Sequence, residues 1–559
     1  MEVAGRIASS AATALHYDAP AVSAGPSHVT LPGTLRMTTR QRAAIAGVLL
    51  LPLLAGAFFL DSVQNRRGAR LFDQVLTLVS GRYVDSLNAG ALYEKAARGL
   101  VREIEDPYAA LYSPAELRAF TLTTGGRYGG LGMMVEDQQG IVVVSRVYPH
   151  TPAEGAGVRE GDRIVGVEGT PTRGWKLAQV TDSLKGEPGT KVHVTFGRPG
   201  VEAPINVEFT RAVIHIPAVP YAMMFDGKVG YIPLLQFNET AADEVERSVK
   251  RLSAEGARGL VIDLRGNGGG IVDQAISISN LFLKSGQEIA SVRGRVGEDQ
   301  IYEASGNPMA PTIPLVVLTD GYTASASEIV TGALQDHDRA LVVGTTSFGK
   351  GLVQSLFPLD GGWALKLTTA KWYTPSGRSI QKERKLVDGR LVEVVDSMET
   401  DSARKARPVY RSDAGRVVYG GGAITPDIIV RPDTLNDIEQ RFLRTVSQKS
   451  QEFYVALYDY AFDLKGTVKP GFQVQPEWRD ELFSRITKAG VEIERPLYDS
   501  ASTEVDRLIG DRVARLAFGD STAKRREIGD DSQLVRALEI IRRGETQQDL
   551  FAGAPASGR

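Results

Sequence analysis

Cysteine is absent from the 559-residue chain, which removes disulfides, thiolate nucleophiles and cysteine-ligated zinc together. Net charge is nearly missing as well. The 65 Lys+Arg stand against 67 Asp+Glu, giving −2, so no global field draws the chain to nucleic acid. Histidine occurs six times, and the sequence has neither an H-E-x-x-H motif nor a phosphate-binding glycine loop; neither metal nor nucleotide cofactor is implied. Long apolar runs are lacking with one exception, which disfavours a polytopic membrane protein. A hydrophobic share of 42% with 24% charged residues disfavours wholesale disorder. Any nucleophile is therefore an oxygen or an amine, in a chain long enough for about two to four domains.

The exception is Ala43 to Leu60, eighteen residues without a charge, led by Arg36, Arg40 and Arg42 and followed by Asp61, Arg66, Arg67 and Arg70. That is about the minimum length for crossing a bilayer. As a transmembrane signal-anchor it keeps the leading arginines cytoplasmic; as a signal peptide it offers Ala55-Gly56-Ala57 as a cleavage site. Both readings export everything downstream. We therefore expect an extracytoplasmic, periplasmic protein anchored to the inner membrane through residues 43–60, or secreted if cut. Residues 1–42 form an N-terminal tail whose first part is rich in Ala, Ser, Gly and Pro and lacks apolar periodicity, as disordered segments do. Met37 is an alternative start.

Downstream the pattern divides the chain. Leu71, Phe72, Val75, Leu76, Leu78 and Val79, then Leu92 to Ile104, recur at helical spacing and predict a helical module over 71–124. Short β-rich runs punctuated by glycine follow over 125–212. From 213 to 433 apolar strands alternate with helical patterns, the signature of an α/β domain with buried strands. Within it, 383–418 is dense in charge and reads as an insertion or exposed loop. A helical stripe including Leu435, Ile438, Phe442 and Val446 opens a helical C-terminal extension over 434–559, which we expect to pack on the core or mediate assembly.

Chemistry concentrates at three places. In Thr323-Ala324-Ser325-Ala326-Ser327-Glu328-Ile329 a buried strand gives way to small residues and then a helix. Ser325 there is either an ordinary N-cap or a nucleophile whose oxyanion is met by the helix amides, that of Ala326 first. Of the histidines, His16 and His28 precede the apolar run and His150, His193 and His215 lie in or beside the β-rich segment. His337 is roughly 18 Å along the same helix, so none is an evident base. Lysine serves instead if desolvation leaves it neutral, and Lys350, flanked by Gly349 and Gly351, suits that or is a solvated charge. A strand starting at Lys350 would put Gln354 on the same face, able to orient the amine without charging it. Asp263-Leu264-Arg265-Gly266-Asn267-Gly268-Gly269-Gly270 is either a tight turn or a second oxyanion donor, from Gly269 or Gly270.

Together these elements, with Lys366-Leu367-Thr368-Thr369-Ala370 and Tyr373-Thr374-Pro375-Ser376-Gly377, resemble the carboxyl-terminal processing peptidases, or tail-specific proteases. The Ser325-to-Lys350 interval (350 − 325 = 25) is what that resemblance requires. It implies an α/β core of the ClpP/crotonase type, Ser325 as nucleophile, Lys350 as general base, Gln354 as its positioner, and Ala326 with Gly269 or Gly270 as oxyanion hole. Gly268 departs from the proline that relatives often carry, which loosens the turn. Tyr128-Gly129-Gly130-Leu131-Gly132-Met133 resembles the carboxylate-binding loop of PDZ domains, which implies capture of exposed C-terminal tails by Gly129, Gly130, Leu131, Gly132 and Met133. The expected protein is a serine endopeptidase acting on protein or peptide substrates, without nucleic acid, as a homo-oligomer or with an activating adaptor. Two rivals stand: an inactive PDZ adaptor, and another acyl-transfer chemistry on the same core.

Overall fold

The computed structural model describes residues 67–138, 140–198, 200–382, 384–387, 390–393 and 407–553. The segment expected to cross the membrane, the tail before it and much of the charged insertion lie outside these residues. No helix among the described residues is long and apolar enough to span a membrane. Residues up to Lys95 form a unit of their own, with a helix over 67–82. Its apolar stripe forms as expected but is not a core: Leu71, Val75 and Leu78 are exposed.

The second unit is built on a six-stranded sheet of β1 (Met223–Phe225), β2 (Val229–Pro233), β3 (Gly259–Asp263), β4 (Leu315–Thr319), β5 (Leu341–Gly344) and β6 (Ile428–Ile429), in that order. β1 and β2 are antiparallel; every later pair is parallel. The sequences of β3 and β4, Gly-Leu-Val-Ile-Asp and Leu-Val-Val-Leu-Thr, are buried at every position, as parallel strands covered on both faces must be. One face carries α1 (Ala241–Ala254), α2 (Val272–Asn280) and α3 (Ala326–Asp336), which bury Val245, Val249, Ile278, Val330 and Leu334. The other face is covered from the C-terminal extension. There α4 (Asp520–Glu527) leads to α5 (Ser532–Arg543), and α5 sets Leu534, Leu538 and Ile541 against Val229, Val261 and Val316. The expectation that this end packs on the core holds, while the helices between Asp437 and Phe518 enclose a separate cluster around Phe442, Phe453 and Tyr498.

A second, antiparallel sheet pairs Ala364–Tyr373 with Leu352–Pro358 along its length, and with Ala110–Tyr112 and Glu288–Gly294 on its other edge. Ala110–Tyr112 is a strand inside the segment expected to be helical; three residues are too few for alternation to register. The β-rich segment forms a sheet in the order 133–138, 141–147, 163–167, 191–197 and 205–210, closed by the helix Leu177–Leu184, whose Val180 and Leu184 join Val142, Val144, Ile164 and Phe196 in one core. The extension touches this domain where Val455 fills the space beside Gly161, so that a Cβ there would lie 2.5 Å from its Cγ2. Arg146 adds an ion pair to Asp520 at 2.7 Å. The described end of the charged insertion is docked on the core. Arg416 joins Asp338 and Asp427, each at 2.5 Å, and Asp413 meets His337 at 2.8 Å.

Candidate active site

Ser325 stands between β4 and α3 with φ 57° and ψ −113°, a backbone conformation that costs a non-glycine residue about 1–3 kcal/mol and persists only where neighbours impose it. The neighbours are explicit. Ser325 N–H donates to Glu328 Oε2 at 2.8 Å, while the Ser325 carbonyl accepts from the N–H groups of Glu328 (2.9 Å) and Ile329 (3.0 Å). The Glu328 N–H is thus satisfied by the backbone, and Ser325 Oγ caps nothing. Ser325 thus occupies the N-cap position of α3 with a half-buried hydroxyl that makes no capping hydrogen bond.

Glu328 does more than hold Ser325. Fully buried, it accepts from Lys350 N–H (2.8 Å, on the same Oε2), Gly349 N–H (2.6 Å) and Ser347 Oγ (2.5 Å). Because Ser325 and Lys350 donate to one oxygen, their backbone nitrogens lie no farther apart than twice that bond length. Burial raises the Glu328 pKa, opposed by these four donors. The S-x-x-E spacing of a capping box was visible in the sequence; that its carboxylate would clamp a loop more than twenty residues away was not.

Lys350 Nζ lies 4.8 Å from the centre of the Tyr108 ring and, among the described residues, has no ion pair and no hydrogen bond to Ser325 Oγ or Gln354. Burial pushes its pKa below the ordinary 10.5, and the charge of Lys366 pushes the same way against weaker opposition from Glu328 and Asp106. Tyr108 and Lys366 arrive together because Ala110 pairs with Lys366 across the second sheet. Apolar spacing gave no sign of either. Arg384 stacks over Phe348 with its Cζ 3.8 Å from the ring centre and donates to Gly349 O at 3.0 Å, bracing the lysine loop.

The expectation for Gln354 needs correction. Its strand starts only at Leu352, so Lys350 lies outside it and an even offset does not fix a shared face. Its Nε2 is buried and has no hydrogen-bond partner. The glycine turn is also more specific than expected. Gly269 N–H donates to Asn267 Oδ1 at 2.9 Å and is committed, whereas the amides of Gly270 and Ala326 make no hydrogen bond among the described residues. A Cβ on Gly269 would lie 2.9 Å from both Ala326 N and Ser325 Cβ: the turn is packed against the serine. His337 sits at the opposite end of α3, held by Asp413 and by Glu288 O at 2.7 Å.

This assembly of strained serine, half-buried lysine and free amides occurs within residues matched by the model of peptidase family S41, 228–388. A PDZ domain model matches residues 143–198. The carboxy-terminal-processing protease of Bartonella bacilliformis is 38% identical over 347 residues, 60% of this chain and 79% of that protein. The chain belongs to the carboxy-terminal processing proteases. Carboxy-terminal processing protease CtpA of Bacillus subtilis is 32% identical over 344 residues, 61% of this chain and 73% of the relative. The solved photosystem II D1 C-terminal processing protease is 31% identical, covering 57% of this chain and 84% of that one with a TM-score of 0.35.

As a serine-type processing protease the chain carries its PDZ domain ahead of the catalytic core. Gly129 and Gly130 fall in a strand, Arg127–Gly130, paired with Ala212–His215; Leu131 and Gly132 form the turn proper. Gly132 has φ 83° and lies where a Cβ would be 2.2 Å from that of Thr151, so only glycine fits. Met133–Gln138 follows as an edge strand of the PDZ sheet.

Proposed function

We propose that this protease captures an exposed C-terminal tail in its PDZ domain and cuts the chain through an acyl-enzyme on Ser325. The tail adds as a strand beside Met133–Gln138, its carboxylate meeting backbone amides of the Gly129–Met133 segment. Ser325 Oγ attacks the scissile carbonyl as Lys350 Nζ, neutral beforehand, takes the hydroxyl proton. The amides of Ala326 and Gly270 bind the oxyanion. The ammonium returns the proton to the leaving amine, and a water deprotonated by Lys350 then releases the acyl group and restores the serine. Gln354, with its unpartnered Nε2, is the group that would steady the amine as substrate closes the site. Export through residues 43–60 would place this chemistry outside the cytoplasm, on substrates there.

The observation that carries the reading is the Glu328 clamp, which joins the Ser325 and Lys350 loops around an unbonded Ala326 amide. The test is cleavage of a loosely folded protein with an apolar tail by the full chain, compared with Ser325→Ala and Lys350→Ala. Both variants should lose activity while tail binding persists. Activity should rise with pH and reach its plateau below the pH at which an ordinary lysine loses its proton, since burial and Lys366 both depress Lys350. An acid optimum would remove Lys350 from the base role. Wild-type binding without cleavage would favour the adaptor.

A further inference from the structure

The C-terminal extension lies beyond the motifs that carry the family resemblance, yet one of its side chains reaches the root of the glycine turn. Arg265 is the third residue of the Asp263–Gly270 run. Its Nε and Nη2 fold back on Asp263 at 2.9 and 2.6 Å, and its outer edge meets Asp531 in a two-bond fork at 2.7 and 2.9 Å. Gln533 Oε1 accepts from the same guanidinium at 3.1 Å, with its own amide turned to Val430 O at 2.7 Å. The cluster is largely shut from water: side-chain exposure is 17% for Arg265, 8% for Asp263 and 11% for Asp531. Lys524 donates to Asp531 at 2.8 Å and also faces Glu527 at 3.7 Å. Such a buried fork fixes a guanidinium in place and direction.

What Arg265 anchors is rigidly joined to the nucleophile. Gly266 N–H donates to both oxygens of Asp320 at 3.0 Å. Asn267 O accepts from Ala324 N–H and from Ser327 Oγ, each at 3.0 Å. The turn is thus tied to the Ser325 loop above and to the extension below. We propose that Asp531 is a positioning residue for hydrolysis, acting through Arg265 to set the height of the Gly270 amide relative to Ser325. This rests on Ser325 being the nucleophile and Gly270 an oxyanion donor. A displacement of about 1 Å in such a donor costs on the order of a hundredfold in rate, and tail capture, made in the PDZ domain, should be untouched.

Asp531 also caps α5, its Oδ1 accepting from Leu534 N–H at 3.0 Å, so the test must separate the cap from the fork. Asp531→Asn does so, because asparagine caps as well as aspartate but brings no charge to Arg265 and only one accepting oxygen. In the full chain, Asp531→Asn should lower kcat about tenfold or more with KM within about twofold. Ile541→Ala, which loosens the same helix without touching the cluster, should lower Tm more and leave kcat near wild type. The double variant Arg265→Lys/Asp531→Asn should lose no more than Arg265→Lys alone, as expected of one pathway. A wild-type kcat for Asp531→Asn overturns the proposal, as does a double variant whose loss is the product of the singles. Ser325→Ala is assayed alongside: an active Ser325→Ala would defeat the nucleophile assignment itself, whereas an inactive one beside a wild-type-like Asp531→Asn would defeat only the positioning role.

Discussion

The two faces of the central sheet are covered by helices of different descent. On one, α1, α2 and α3 are the short crossovers between successive strands, and the loops at the N-termini of α2 and α3 carry Gly270 and Ser325. On the other, α5 returns from more than two hundred residues beyond β2, β3 and β4, on which it packs. The near face places the groups proposed to react. The far face supplies apolar burial and, through Asp531 and Gln533, polar contacts to Arg265. A parallel sheet needs both faces covered, and this chain meets that need with a segment that also braces its site.

The largest effects should come from the near face. Ser325→Ala and Lys350→Ala should each lower kcat/KM by about 10³-fold or more, measured on a tail-bearing protein. Glu328→Gln comes next. With its oxygen kept toward Ser325 and Lys350, the carboxamide nitrogen faces the Gly349 N–H, and one buried donor is left unpaired at about 1–3 kcal/mol. Because that strain falls on the loop joining nucleophile and base, kcat should drop by about 10²-fold while PDZ binding of a tail peptide stays unchanged. A Glu328→Gln enzyme with wild-type kcat would mean that the serine loop holds its shape without the clamp.

A far-face truncation should act on stability instead. Ile541 packs so tightly on β3 that a Cβ on Gly259 would lie 2.1 Å from its Cγ2; Ile541→Ala should cost about 2–4 kcal/mol in urea unfolding with little change in kcat. Leu334→Ala, on α3, should cost a similar amount and also lower kcat, since α3 begins at Ser325. Equal kinetic losses for the two would erase the distinction between faces.

How much of this was legible follows the same division. Ser325, Lys350 and the glycine turn stood out as candidates because each follows an apolar strand and lies among small residues, while the local pattern alone left each with a second reading. The buried strands read correctly because continuous apolar runs admit few alternatives. Contacts made across the fold were not legible. The contacts of Glu328, Lys366 and Asp531 went unread, because nothing local marks a side chain whose partner is about two dozen or several hundred residues away. The offset from Lys350 to Gln354 was not legible for a simpler reason: the strand begins only at Leu352, so strand alternation does not reach back to Lys350.

The subtlest test compares the two lysines. Lys350 has no ion pair among the described residues and is half-buried beside Lys366, so its pKa in the folded chain is lower than the ordinary 10.5. Between those two values the unfolded chain binds more protons than the folded one, and stability must rise with pH across that window. Below it the full penalty of burying an ammonium applies. Lys350→Met keeps the length of the side chain and removes the charge, so at neutral pH it should be at least as stable as wild type. Its advantage should shrink as pH rises toward 10.5. Lys524 on the far face is the counterexample: its ammonium is held by Asp531 at 2.8 Å, and Lys524→Met should destabilise at neutral pH by stripping a partner from a mostly buried carboxylate. Urea unfolding of both variants at neutral and alkaline pH reads the two signs directly. If Lys350→Met is instead destabilised at neutral pH, the amine is held by an anionic partner, and a base so held would stay protonated where the enzyme must work.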